Sequence, residues 1–253
     1  MTMRNFDDDH LNIAHRGASG HAPENTLTAF AKAVELGADG IEFDVQLTKD
    51  GTPIVLHDYT LERTTSGAGF VLDRRLDEIA ELDAGSWYAP PFAGVAIPTL
   101  EQVLEYGKGK LLLNIELKKS PQPVELVERV CAKIMAHDVL DQCLITSFDA
   151  KAVALVSQIL PECRTGLLVN KMVEAMWEGG WSFLAIKHEL ISIEVVERAE
   201  AARKKIIAWT VNEEAEIDKL LDLRVGRIIT NYPDRLFTRL TQRRRDAEEK
   251  QKC

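Results

Sequence analysis

Gly40-Ile41-Glu42-Phe43-Asp44-Val45-Gln46, turned by Lys49-Asp50-Gly51-Thr52 into Pro53-Ile54-Val55-Leu56-His57-Asp58, is the stretch on which the fold turns. Side chains two apart on a strand share a face, so Glu42 and Asp44 point one way while Ile41, Phe43 and Val45 point the other. An apolar face of that kind suits a parallel sheet covered by helices. The link to the second run is far too short for a parallel crossover, which needs about a dozen residues or more, so it must be a hairpin. Strand 40–46 is therefore expected to overshoot the sheet, and residues 53–58 to fold back over its end carrying His57.

Outward from this stretch, apolar runs alternate with amphipathic ones, the pattern of βα units. Candidate strands cover 11–15, 40–46, 111–117, 143–147, 164–169, 183–187, 206–211 and 227–231. Eight parallel strands with helices between them predict an α/β fold, a (β/α)8 TIM barrel forming a single domain over 1–253. Short polar clusters end four of the apolar runs: His15-Arg16-Gly17, Glu42-Phe43-Asp44, His57-Asp58 and Glu116-Leu117-Lys118. In a barrel these ends converge on one mouth.

Helix punctuation supports the alternation. Asn25, Asp149, Asn212 and Asp234 read as N-caps, Thr99 with Gln102 as a capping box, Gly37 as a helix end and Pro161 as a stop. Residues 59–97 break the rhythm, being rich in Gly and Pro, and are expected to form a small insertion at the catalytic face. Within it Trp87, Tyr88 and Phe92 either cover the mouth or form the insertion's own small core, and the second reading is taken. From Thr241 the chain is Arg-, Glu- and Lys-rich, and 241–253 reads as a frayed helix end or disordered tail.

Composition narrows the function. The 253 residues carry a net charge of −9, which argues against a nucleic-acid partner. Cys131, Cys143, Cys163 and Cys253 lack metal-knuckle spacing and read as reduced thiols. The first ten residues hold Asp7, Asp8 and Asp9 in place of a secretory leader, and no run is long and apolar enough for stable membrane insertion, so a cytoplasmic protein is expected.

The inward pair Glu42 and Asp44 repel unless a cation lies between them. A hard divalent ion, Mg²⁺ or Ca²⁺, with Glu116 as third ligand answers this; the competing reading is a surface strand, against which stands the apolar opposite face. His15 and His57 at one mouth suit a general acid and base, although either alone reads equally as a structural hydrogen-bonder. Arg16 can grip phosphate oxygens in a fork, and Asp58 can orient His57 or cap the next turn. Lys118 shares the inward face with Glu116, either to neutralise charge on a phosphate or to pair with Glu116 or Glu42. Trp209 ends the seventh barrel strand, as a core residue or a wall for an organic group. His10, His21 and His137 have no strand-end partner and are placed on the surface.

Seven ordered motifs carry a family resemblance: Ala14-His15-Arg16-Gly17, Pro23-Glu24-Asn25-Thr26, Glu42-Phe43-Asp44-Val45, Leu56-His57-Asp58, Ile97-Pro98-Thr99-Leu100, Glu116-Leu117-Lys118 and Trp209-Thr210-Val211-Asn212. The chain resembles the glycerophosphodiester phosphodiesterases, in particular the short bacterial cytoplasmic type. The resemblance implies a barrel that hydrolyses glycerophosphodiesters to sn-glycerol 3-phosphate and an alcohol, a small-molecule substrate. It implies that Glu42, Asp44 and Glu116 bind one divalent cation, that His15 and His57 are acid and base, and that Arg16 and Lys118 hold the phosphate. Glu24, Asn25 and Asp58 then support the site, and Trp209 contacts substrate. Family members often carry Thr-Asp where this chain has Thr230-Asn231. Two rivals use the same residues: a lysophospholipase D, which needs an apolar groove from Trp87, Tyr88 and Phe92 with Trp177 or Trp181, and a non-catalytic phosphate-binding barrel.

Overall fold

The computed structural model describes residues 4–252. Eight parallel strands close into a barrel: β1 (His10–His15), β2 (Gly40–Leu47), β4 (Leu112–Leu117), β5 (Cys143–Ser147), β6 (Arg164–Val169), β7 (Phe183–Lys187), β8 (Lys205–Trp209) and β9 (Gly226–Thr230). Pairing runs around the ring, and β1 closes it by bonding both β9 and β2. The expected strand 206–211 starts one residue earlier and ends two earlier, at Trp209, although the Val211 N–H still bonds the Ile229 carbonyl of β9 at 2.9 Å.

The remaining strand, β3 (Pro53–Val55), runs antiparallel to β2 and pairs Val45 with Val55. It is the hairpin that the short link demands. The buried Gln46 amide donates to the carbonyls of Leu56 and Asp58 at 2.8 and 2.7 Å, so the chain around His57 is tied to the end of β2. Giving the Leu56 and Asp58 carbonyls a partner at this largely buried corner holds the return in place.

Alternation decides which side chains fill which layer. Leu11, Ile13, Leu112, Leu144, Ile207 and Ile229 point into the lumen with Phe6 and Phe183 at its floor, whereas Ile41, Phe43, Val45, Leu113 and Ile115 pack outward. Helices α1 (Leu27–Glu35), α3 (Leu100–Gly107), α4 (Pro123–His137) and α5 (Ala150–Ile159) cover one side of the ring. Helices α6 (Ile193–Ala201), α7 (Glu214–Asp222) and α8 (Pro233–Lys252) follow β7, β8 and β9. Between β6 and β7 the chain makes only a 3₁₀ turn at Glu174–Trp177, among the described residues, leaving that wall thin.

Several local expectations change. Thr26, not Asn25, caps α1, accepting from the Ala29 N–H at 3.1 Å. Asn212 does not cap α7, which Glu213 precedes; its side chain instead accepts the Asn231 N–H at 3.0 Å. Asp234 lies inside the first turn of α8, where it pairs with His21 at 2.9 Å. Asp149 and the Thr99–Gln102 box cap as expected. Helix α8 runs on to Lys252 through the segment read as a frayed helix end or a disordered tail, and Arg243 pairs with Asp218 and Asp222 on α7; Cys253 lies outside the described residues.

Residues 59–97 contain the short α2 (Leu76–Ala80), and their Leu61, Val71, Ile79 and Ile97 form a separate apolar cluster with Ile54 and Leu56 of the hairpin. Trp87, Tyr88 and Phe92 are not in that cluster. They stack edge-on, Trp87 against Tyr88 and Tyr88 against Phe92, at the surface, where the Trp87 N–H finds the Ala84 carbonyl.

Candidate active site

Parallel register sets the site. His15 lies beside Glu42, Glu42 beside Asn114, and Asp44 beside Glu116, so five strand positions on β1, β2 and β4 come together in the lumen at its C-terminal mouth. His15, Arg16, Glu42, His57, Glu116 and Trp209 line one cavity of about 160 Å³. The structure thus brings together all the sequence-derived catalytic candidates.

Carboxylate oxygens of Glu42, Asp44 and Glu116 all lie within 4.8 Å of one another, and all three residues are buried. Two cations face them. Arg16 Nε is 3.2 Å from Asp44, and Lys118 Nζ sits 3.2 Å from Asp44 and 3.1 Å from Glu116. The expected partner of Lys118 was Glu116 or Glu42; it takes Glu116 and Asp44. Three acids against two cations leave one negative charge in excess in a desolvated pocket.

That excess shows in the proton affinities. Burial opposes ionisation of Asp44, but Arg16, Lys118 and His57 outweigh it and bring its pKa down to about 2. Burial, with Asp44 beside it, pushes Glu116 up to about 7 despite Lys118. Burial and both neighbouring acids push Glu42 well above the ordinary carboxylate range. Like charges in low dielectric cannot all remain ionised. A divalent cation would relieve them, and an all-oxygen donor set is what hard cations take.

Each histidine is held by one nitrogen. His57 Nδ1 meets Asp58 Oδ1 at 2.6 Å, so Asp58 orients the ring. His15 Nδ1 meets Asn231 Oδ1 at 2.7 Å, which places Nε2 3.9 Å from Glu42. Burial, reinforced by Arg16, lowers the His15 pKa to about 4 against the hydrogen bond that His15 donates to Asn231 Oδ1. The imidazole at this position is neutral near pH 7.

The β1–α1 loop explains how Arg16 reaches the acids. Arg16 and Gly17 both adopt left-handed backbone, with φ of 54° and 79°. A side chain at Gly17 would meet the Ala29 backbone at 2.7 Å, so only glycine fits that turn. Asn25 is also left-handed at φ 59°, a conformation its residue type tolerates. Freed from capping, it donates to Asp44 Oδ2 at 2.9 Å.

Glu24 accepts from Arg16 Nη1 at 2.8 Å. Trp209 lines the cavity with its N–H spent on the Ala185 carbonyl at 2.7 Å and its ring edge-on to Phe148. Trp181 is buried in the wall by β6 and β7 and lines, with Phe148, a second groove of about 470 Å³; Trp87 and its neighbours lie in the insertion.

Phe148, at the end of the fourth barrel strand where barrel sites draw their residues, lines the cavity. Two site residues escape the sequence reading: Arg63 bonds both Glu24 and Asp58, and Asn114 sits beside Glu42 on β4. Asn114 was detectable as an inward position two before Glu116. Arg63 depends on loop geometry that no strand period carries.

A parallel barrel with a buried carboxylate cluster, two cations and two oriented histidines at its C-terminal mouth has the layout of an enzyme active site. Residues 15–235 match the model of the glycerophosphoryl diester phosphodiesterase family. A glycerophosphodiester phosphodiesterase of Caldanaerobacter subterraneus subsp. tengcongensis is 39% identical over 238 residues, covering 90% of this chain and 96% of that protein. One from Bacillus subtilis is 35% identical over 246 residues, covering 88% and 84%. The solved Oleispira antarctica phosphodiesterase, in complex with the product sn-glycerol-3-phosphate, superposes with a TM-score of 0.86 at 32% identity, covering 90% of this chain and 96% of that one. The chain belongs to the glycerophosphoryl diester phosphodiesterase family, and it is a hydrolase of glycerophosphodiesters.

Proposed function

We propose that the enzyme cleaves glycerophosphodiesters to sn-glycerol 3-phosphate and the free alcohol, with His15 and His57 as the acid–base pair and Glu42, Asp44 and Glu116 as ligands of one divalent cation, Mg²⁺ or Ca²⁺. The observation that carries this reading is the carboxylate cluster with its oxygens within 4.8 Å, two of whose members, Glu42 and Glu116, line the same cavity as both histidines. Bound there, a divalent cation supplies Lewis-acid polarisation of the phosphate and neutralises its developing charge.

The chain's own groups divide the rest of the work. Arg16 and Lys118 present N–H donors at the rim of the acidic cluster, where they hold the non-bridging phosphate oxygens. His57 and His15 each have Nδ1 engaged, by Asp58 and Asn231, and present Nε2 to the reacting atoms. One takes the proton of the attacking hydroxyl and the other protonates the departing alkoxide; water as attacker gives glycerol 3-phosphate directly, whereas the glycerol 2-hydroxyl gives a cyclic phosphate that a water then opens. Asn231 stands where relatives often carry Asp; as a hydrogen-bond partner of His15 it bears on the histidine and not on the cation ligands. Phe148 and Leu168 line both the cavity and the adjoining groove, which gives the alcohol a way out of the pocket.

The test is a coupled assay for glycerol 3-phosphate across several glycerophosphodiesters, with chelator and then with each cation added back. Release that vanishes in chelator and returns with Mg²⁺ or Ca²⁺ is expected. His57→Ala and His15→Ala should each lose about 10²–10⁴-fold in kcat with an unchanged Tm. Near wild-type turnover in either variant, or full activity in chelator, would sink the assignment concerned.

A further inference from the structure

Arg63 belongs to none of the motifs above and touches no lumen residue, yet it makes two forked contacts beside the site. Its Nε and Nη2 donate to Asp58 at 2.5 and 3.1 Å, and its Nη1 and Nη2 donate to Glu24 at 3.0 and 2.8 Å. Those two carboxylates come from separate elements, Glu24 from the β1–α1 loop and Asp58 from the end of the hairpin. Each already holds a site residue: Asp58 bonds His57 Nδ1 and Glu24 bonds Arg16 Nη1.

The connection is therefore continuous: His57, Asp58, Arg63, Glu24, Arg16. We propose that Arg63 is a positioning residue that fixes the histidine and the phosphate-gripping arginine relative to one another, and that the 59–97 insertion acts on the reaction through this side chain. The proposal rests on the reading of His57 and Arg16 given under Proposed function.

Local structure supports an aimed side chain in place of a casual surface ion pair. Leu61, Thr64 and Thr65 around it are buried, and Thr65 Oγ1 donates to the Leu61 carbonyl at 2.6 Å while accepting from Gly67 N–H at 2.9 Å. The backbone that presents Arg63 is thus pinned on both sides. Bidentate guanidinium pairing adds directional constraint that a point charge cannot supply. Without the guanidinium, Asp58 and Glu24 would face each other as like charges, with nothing to keep either against its own partner.

The decisive comparison sets wild type beside Arg63→Met, Arg63→Lys and Arg63→Ala. Arg63→Met should lower kcat/KM roughly 10²-fold, mainly through kcat, as expected for slight misplacement of reacting groups, with Tm within a few degrees of wild type. Arg63→Lys should stay closer to Arg63→Met than to wild type, because one ammonium cannot span both carboxylates. Added guanidinium should restore part of the Arg63→Ala rate, and methylammonium should not. A fold-only role for Arg63 would show no such selective rescue.

A readout free of turnover completes the test. The short His57 Nδ1–H···Asp58 bond should give a downfield proton NMR signal that exchange broadens away in Arg63→Met. Arg63→Met kinetics within twofold of wild type, equal activity of Arg63→Lys and wild type, or an unchanged downfield signal would overturn the proposal. A wild-type enzyme that releases no glycerol 3-phosphate would fail the reaction reading itself, while the NMR comparison would still decide whether Arg63 holds His57 in place.

Discussion

The two ends of the barrel are both densely charged, and they use charge in opposite ways. At the floor, residues 6–9 run beneath the strands, with Phe6 fully buried against the lumen core and edge-on to Phe183. Asp7 there pairs with Lys205 and with Arg164, and Arg227 donates to the carbonyls of Phe6 and Asp7. The floor ion pairs stay part-exposed, and each acid has a cation. At the mouth, Glu42, Asp44 and Glu116 are buried with only Arg16 and Lys118 between them. The floor is thus a stabilising closure, while the mouth holds unfavourable charge that an incoming cation and phosphate make use of.

The sharpest way to break this contrast is Glu42→Gln. Burial and the adjacent acids raise the Glu42 pKa, so its charge destabilises the metal-free fold, and a neutral isostere removes that cost while still accepting the Arg16 N–H. Activity should fall by roughly 10³-fold, the scale of several kcal/mol of lost charge stabilisation by the cation. The metal-free Tm should instead rise, by about 2–8 °C for a gain of about 1–2 kcal/mol in a chain of this size. Calorimetry with and without Mg²⁺ or Ca²⁺ checks both halves: a lower Tm in the metal-free variant would mean that the mouth is not destabilised by its acids.

How much of this was legible in the sequence follows from what period and spacing encode. Period-two patterning placed Glu42, Asp44, Glu116 and Lys118 inside the barrel, and the short Lys49–Thr52 link required the hairpin that carries His57. Capping residues were less legible, since Asn25, Asn212 and Asp234 are good caps by type but are used by tertiary partners: Asp44, Asn231 and His21. Arg63 was invisible for a related reason. Its partners Glu24 and Asp58 meet only after the β1–α1 loop and the insertion have folded onto each other. Where α8 enters the charged segment, Arg243 meets acids on α7, a contact that composition alone does not reveal.

Phe6→Ala sharpens the same comparison from the other end. Phe6 buries its whole ring, and truncating a phenylalanine in such a place costs about 3–5 kcal/mol. Tm should drop by roughly 6–20 °C. Phe6 lies at the opposite end of the lumen from the carboxylates, so kcat at temperatures where the variant is folded should match wild type. A loss of kcat in fully folded Phe6→Ala would show that floor packing also sets the mouth.

The smallest effect expected is that of Asp7→Asn, and its sign is the useful part. Burial pushes the Asp7 pKa up, but Lys205 and Arg164 outweigh it and hold the group below 3.8 when folded. A depressed folded pKa stabilises the protein above the unfolded value and ceases to do so as pH falls through the folded one. Asp7 is nearly half exposed, so screening limits the contribution to about 0–1 kcal/mol. Asp7→Asn should therefore lower Tm by no more than about 2–4 °C at neutral pH, with the difference shrinking in high salt and closing below the carboxylate range. Neutralising an acid would then destabilise at the floor and stabilise at the mouth. A rise in Tm from Asp7→Asn at neutral pH and low salt would remove that opposition, because both ends would then carry acids the fold is better without.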